Sequence, residues 1–189
     1  MDFLLRSRYA SVEDYLLREP HSPIRHEYMN GKVYPRSRTS DAHVTITGNI
    51  FCRLRSALRG SAYRVYPNDL RLHIPKTNIY LYPDLMVTAD PRDQGLQDYK
   101  SYPTLILEVY SEATEALDRG EKFMAYRQAE TLQEYILINE KHMQVECFRR
   151  SSTSQWVIEV YADRDRVRFL SLEFDCSMQS IYEDVYLWS

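Results

Sequence analysis

Apolar positions change their period several times along the chain, and each change marks an element. Residues 11–14 (Ser-Val-Glu-Asp) carry the signs of a helix start with Ser11 as N-cap, and this helix should end before Pro20. His26-Glu27-Tyr28-Met29, the dipeptide Asn30-Gly31 and Lys32-Val33-Tyr34 read as a hairpin, because Asn-Gly supplies the two positive φ angles of a type I′ turn. From about residue 41 to 58 the period lengthens: Ile46, Ile50, Leu54 and Leu58 recur every fourth residue, and Gly60 sits where a C-cap belongs. Residues 63–74 are extended chain broken near Pro67-Asn68, and two strongly apolar strands follow at 81–87 and 105–110. The pattern predicts a helix over 115–129, then an antiparallel pair at 134–138 and 143–148 turning near Glu140-Lys141. Strands at 155–161 and 167–170 and a short helix at 178–185 complete the chain. This succession predicts an α/β (α+β) fold, a central mixed sheet flanked by helices, with residues 1–189 forming a single domain.

Composition narrows the class. A hydrophobic fraction of 44% and 16 tyrosines exclude a disordered chain. Met1 to Ala10 lacks the apolar core of a signal peptide, and no apolar run approaches the roughly 20 residues that cross a bilayer. Cys52, Cys147 and Cys176 form no CxxC pair and read as reduced residues of a cytoplasmic protein. The net charge of −3 argues against coating nucleic acid by bulk charge. It is unevenly spread: residues 1–60 carry +4, residues 61–120 carry −3 and residues 121–189 carry −4.

The most informative feature is a pair of acids where apolar residues are expected. Asp84 interrupts LYPDLMV and Glu108 interrupts LILEVY. Near-continuous apolar runs mark strands buried on both faces, where an ionised carboxylate is costly unless paired, hydrogen-bonded or bound to metal. One such acid alone is better read as a strand-end residue paired with an arginine or a helix N-terminus. Two of them, followed by a helix, point to a site suited to a hard dication such as Mg²⁺. On that helix Asp118, Lys122 and Tyr126 are spaced i, i+4, i+8 and share one face to within about 40°. Away from the strand acids, Asp118 and Lys122 would be an ordinary surface pair worth about 0.3–0.5 kcal/mol.

Pro83-Asp84 followed by Glu108 in an apolar strand resembles the PD-(D/E)XK nuclease superfamily, the restriction-endonuclease-like fold. The closer resemblance is to the Uma-two family of restriction-endonuclease-like proteins. It rests on His26-Glu27 with Gly31, His43, Pro83-Asp84, Glu108-Val109-Tyr110-Ser111 with Thr114, Asp118-x-x-x-Lys122-x-x-x-Tyr126, and Glu134-Tyr135. The series covers roughly residues 10–140. The chain departs from the superfamily at Tyr110, where the lysine normally lies, and the resemblance moves that role to Lys122.

The resemblance implies a set of roles. Asp84 and Glu108, joined by the Val109 carbonyl, would hold Mg²⁺ or Mn²⁺, and Lys122 would position or activate the attacking water. Glu27 would be an additional acid beside the metal, and Asp118 would orient Lys122. Tyr126 either hydrogen-bonds a site carboxylate or packs. For His43, capping or packing at a helix beginning near Val44 is favoured over contact with a substrate phosphate, and His26 is assigned to structure. The implied activity is metal-dependent hydrolysis of phosphodiester bonds, with DNA as partner, no membrane, and a homodimer compatible with the fold. Two alternatives stay open: a non-catalytic nucleic-acid-binding or assembly module, and a hydrolase of small phosphate compounds.

Overall fold

The computed structural model describes residues 10–36 and 39–187. Helix α1 (Val12–Arg18) starts as expected, Ser11 Oγ accepting from the Asp14 backbone N–H. Strands β1 (His26–Met29) and β2 (Lys32–Pro35) form the hairpin, with Asn30 at φ 52° and Gly31 at φ 80°. Helix α2 (Asp41–Ala57) follows. Then come β3 (Arg64–Pro67), β4 (Arg71–Ile74), β5 (Ile79–Leu81), β6 (Leu85–Thr88), β7 (Tyr99–Lys100) and β8 (Leu105–Tyr110). The helix expected over 115–129 is three pieces: α3 (Glu115–Leu117), a π-helical turn (Asp118–Lys122) and α4 (Phe123–Tyr126). Strands β9 (Glu134–Asn139), β10 (Val145–Arg150), β11 (Trp156–Tyr161), β12 (Arg166–Phe169) and β13 (Phe174–Ser177) lead to α5 (Met178–Ile181).

The expected mixed sheet is present, in the order β11-β10-β9-β8-β6-β3, with β8 and β9 parallel and the other pairs antiparallel. The pattern did not reveal a second sheet, β2-β1-β5-β4-β7. The period-2 alternation of β8 divides the interior between two layers. Leu105, Leu107 and Val109 join Ile46, Ile50 and Leu54 of α2 in one core cluster. Ile106 and Tyr110 join Met29, Leu72, Ile74 and Leu81 of the second sheet, together with Tyr126 of α4, in the other. The three α2 residues are fully buried, each contributing roughly 1.5–3 kcal/mol.

The run LYPDLMV, expected as one strand, is two. β5 pairs in the second sheet and β6 in the mixed sheet, so residues 82–84 carry the chain from one sheet to the other. Pro83 has no N–H to offer a ladder, which ends β5 at that point. Asp84 therefore stands at the crossover and not inside a strand.

Candidate active site

Glu108 is the fourth residue of β8 and takes the side of Ile106 and Tyr110, so its carboxyl enters the layer between the two sheets. Asp84 arrives beside it from the crossover. Two backbone donors tie the acids together: the Asp84 N–H donates to Glu108 Oε2 (3.1 Å), and the Val109 N–H donates to Asp84 Oδ2 (2.9 Å). A strand residue turns its N–H and C=O to the same lateral edge, so the Val109 carbonyl also faces the Asp84 side.

The π-helical turn delivers the third group. Lys122 Nζ lies 3.1 Å from Glu108 Oε1, 3.3 Å from Asp118 Oδ1 and 3.4 Å from Glu27 Oε1. Tyr126 donates to Glu108 Oε1 at 2.6 Å, one turn further on. Glu27, on β1, accepts from the Tyr82 N–H (3.0 Å), and Tyr135 donates to the Asp118 carbonyl (3.0 Å). The face predicted for Asp118, Lys122 and Tyr126 is thus the face that meets the strand acids. Tyr126→Phe should cost about 1–3 kcal/mol, the penalty of leaving a buried carboxyl oxygen without its partner, read as a lower urea midpoint.

Asp84 Oδ1 has two nitrogen neighbours. Arg36 Nη2 donates to it at 2.8 Å, and His43 Nε2 lies 3.0 Å away but off hydrogen-bond alignment. This corrects the capping half of the expectation for His43; its side chain, 14% exposed, is packed at the site. The cap of α2 is Ser40, whose Oγ accepts from the His43 backbone N–H (3.0 Å), which leaves the imidazole free to turn toward Asp84. His26 is structural as expected, buried with Nδ1 3.0 Å from Glu19 Oε2. Arg36 was not anticipated. It lies one residue beyond β2 among other surface-type arginines, and nothing local distinguishes it.

Glu27, Arg36, His43, Asp84, Glu108, Val109, Asp118 and Lys122 line one cavity of about 310 Å³. Among the described residues, four acidic side chains, Glu27, Asp84, Glu108 and Asp118, are buried beside two fixed cations, Lys122 and Arg36. Burial pushes the Glu108 carboxyl up to about 8, Lys122 pulling against it while Asp84, Asp118 and Glu27 add to the rise. Asp118 is raised for the same first reason. Burial also acts to raise Asp84, but His43, Arg36 and the Val109 N–H outweigh it and hold this acid below its usual range. Burial would lower Lys122, yet Glu108, Glu27 and Asp118 keep the ammonium charged.

The cluster of carboxyl oxygens suits a hard dication. Among the described residues no three His, Cys, Asp or Glu side chains are arranged as a ready cation cage. The oxygen donors on hand for an ion are the Asp84 and Glu108 carboxyls and the Val109 carbonyl; with water completing the shell, they could hold a cation of the Mg²⁺ kind.

Residues 12–179 match the Uma2 family, described as "Putative restriction endonuclease". Two Synechocystis proteins are similar along most of their length. Uncharacterized protein slr1290 is 32% identical over 91% of this chain and 90% of its own. Uncharacterized protein sll1609 is 30% identical over 86% and 94%. A solved structure described as "a putative nuclease belonging to DUF820", from Anabaena variabilis, shares the fold with a TM-score of 0.76. That likeness covers 92% of this chain and 97% of that one at 16% identity. Among the described residues no helix is long and apolar enough to cross a membrane. With its sequence matched from α1 to α5 and its fold shared with a nuclease-like structure, the chain belongs to the Uma2 family of restriction-endonuclease-like proteins.

Proposed function

We propose that this protein is a metal-dependent endonuclease that hydrolyses phosphodiester bonds in DNA. The observation that carries the reading is the convergence of Lys122 on Glu108, at 3.1 Å, beside Asp84 and Glu27 in one cavity. Asp84, Glu108 and the Val109 carbonyl would hold Mg²⁺ or Mn²⁺, which when bound supplies Lewis acidity and a water acidified toward neutral pH. Lys122 would hold the attacking water and offset the charge that builds on the phosphate, a preorganised positive group in a site largely shielded from solvent. Asp118 keeps the ammonium aimed, and Glu27 places a further acceptor on the same ammonium. Tyr126 fixes the Glu108 carboxyl by its 2.6 Å hydrogen bond.

The test is supercoiled plasmid incubated with the purified chain and Mg²⁺ or Mn²⁺. Nicking is expected with the metal and not with chelator, and Asp84→Asn should lower it by a factor of at least about 10², the size of a lost electrostatic stabiliser. Nicking at the wild-type rate in Asp84→Asn would sink the proposal. Salt-sensitive DNA retention without cleavage, unchanged in that variant, would mark a binding module instead.

A further inference from the structure

Arg36 faces the candidate metal site, yet neither the motif series nor the family match gives it a role. The side chain reaches in from the segment after β2, separated by 48 residues from the Asp84 carboxylate it meets. Its side chain is 17% exposed whereas that of Asp84 is 3% exposed, so the guanidinium stands between the carboxylate and solvent. One nitrogen donates to Asp84 Oδ1 at 2.8 Å, and the other to the Asn68 side-chain oxygen. Among the described residues two fixed cations line the cavity; Lys122 is shared among Glu27, Glu108 and Asp118, whereas Arg36 pairs with Asp84. The Asp84 oxygen it holds belongs to a carboxylate that a dication would need, and a planar guanidinium fork matches a phosphate as well as a carboxylate.

We infer that Arg36 is an internal counter-ion of Asp84 that competes with a divalent cation for the Oδ1 oxygen, and that once displaced it takes the phosphate of the nucleic-acid substrate. The inference rests on the metal-dependent reading above and deepens it. Metal loading and substrate binding become linked: an arriving cation frees the guanidinium, and a phosphate gives the freed guanidinium a new partner. The Val109 N–H, donating to Asp84 Oδ2 at 2.9 Å, keeps the carboxyl oriented when Arg36 leaves.

The experiment uses the full chain as wild type, Arg36→Gln and Arg36→Lys, each shown by its urea midpoint to be folded. Mn²⁺ binding is titrated by the electron paramagnetic resonance of the free ion. Affinity for a short DNA duplex is measured by fluorescence anisotropy with saturating Ca²⁺. Arg36→Gln should bind Mn²⁺ about tenfold more tightly than wild type and the duplex about tenfold more weakly, each about 1.4 kcal/mol. Arg36→Lys, which keeps the charge, should stay near wild type for Mn²⁺. Mn²⁺ affinity in Arg36→Gln that is unchanged or weaker would overturn the competition, because a residue that only orients Asp84 loses metal when removed. Duplex affinity unchanged in Arg36→Gln would overturn the phosphate role. If neither wild type nor Arg36→Gln binds Mn²⁺, the metal-dependent reading falls and the inference with it, an outcome distinct from a failure confined to Arg36.

Discussion

Replacing Lys122 by methionine should lower DNA nicking at least about a hundredfold and destabilise the chain by about 3–5 kcal/mol. The first effect follows from loss of the positive group that the proposed reaction sets against the phosphate. The second follows from burial. The ammonium lies within 3.4 Å of Glu27, Glu108 and Asp118, and its removal leaves these buried acids without their shared cation. Urea denaturation at neutral pH reads the stability, and plasmid nicking reads the chemistry. Adding Glu108→Gln to Lys122→Met should restore no activity and change the stability little at neutral pH, where Glu108 already keeps its proton; the remaining loss is carried by Glu27 and Asp118. A Lys122→Met variant as stable as wild type would show that the ammonium does not hold this cluster together. One that loses stability but still nicks DNA would remove Lys122 from the catalytic machinery.

The second large effect is on pH. With a chelator present, stability should fall between about pH 4.5 and 8. Glu108 has an ordinary value of 4.5 and is pushed up to about 8, first by burial and then by Asp84, Asp118 and Glu27, with Lys122 opposing. In that window the unfolded chain has released this proton and the folded chain retains it. The unfolded state binds fewer protons, so the slope of stability against pH is negative, about 1.4 kcal/mol per pH unit for one proton. Asp118, also raised, adds a slope of the same sign above its ordinary value of 3.8. Asp84 acts oppositely. Its lowered value contributes stability above 3.8 that is lost as pH falls through its folded value. Glu108→Gln should flatten the profile between pH 5 and 8 and exceed wild type in stability at the alkaline end. A wild-type profile that is flat or rises across this window would contradict a Glu108 proton retained on folding.

The two predictions draw on one source. Acids are held in the layer between two sheets, where water cannot screen them, and the fold accepts the cost because Lys122, Tyr126 and backbone donors meet most of their oxygens. Under the proposed function the same arrangement would receive a dication, and it makes the cavity sensitive to any change in its fixed cations.

Much of this was legible along the chain. The Asn30-Gly31 turn, the four-residue spacing of Ile46, Ile50 and Leu54, and the apolar run of β8 are local periodicities, and local backbone geometry reads them out directly. Glu108 in that run and the helical face of Asp118, Lys122 and Tyr126 belong to the same class, so the centre of the site could be named from spacing. The π-helical turn did not spoil that face, although no period announced it.

Tertiary structure decided the rest. Asp84 looked like a residue within one strand because an apolar run reads alike whether it serves one sheet or crosses between two. Only the pairing partners of β5 and β6 separate the cases. His43 read as a capping or packing residue because its own segment offers those roles, and Ser40 takes the cap. Arg36 had no local signature at all. Its partner Asp84 is set by how the β1-β2 hairpin stacks on the crossover, and hydrophobic period carries no information about which distant charge a surface-type side chain will meet. The sequence by itself determined the elements and the acids among them, through short-range periodicity. The stacking of two sheets determined which cations those acids face, because that depends on contacts across the chain.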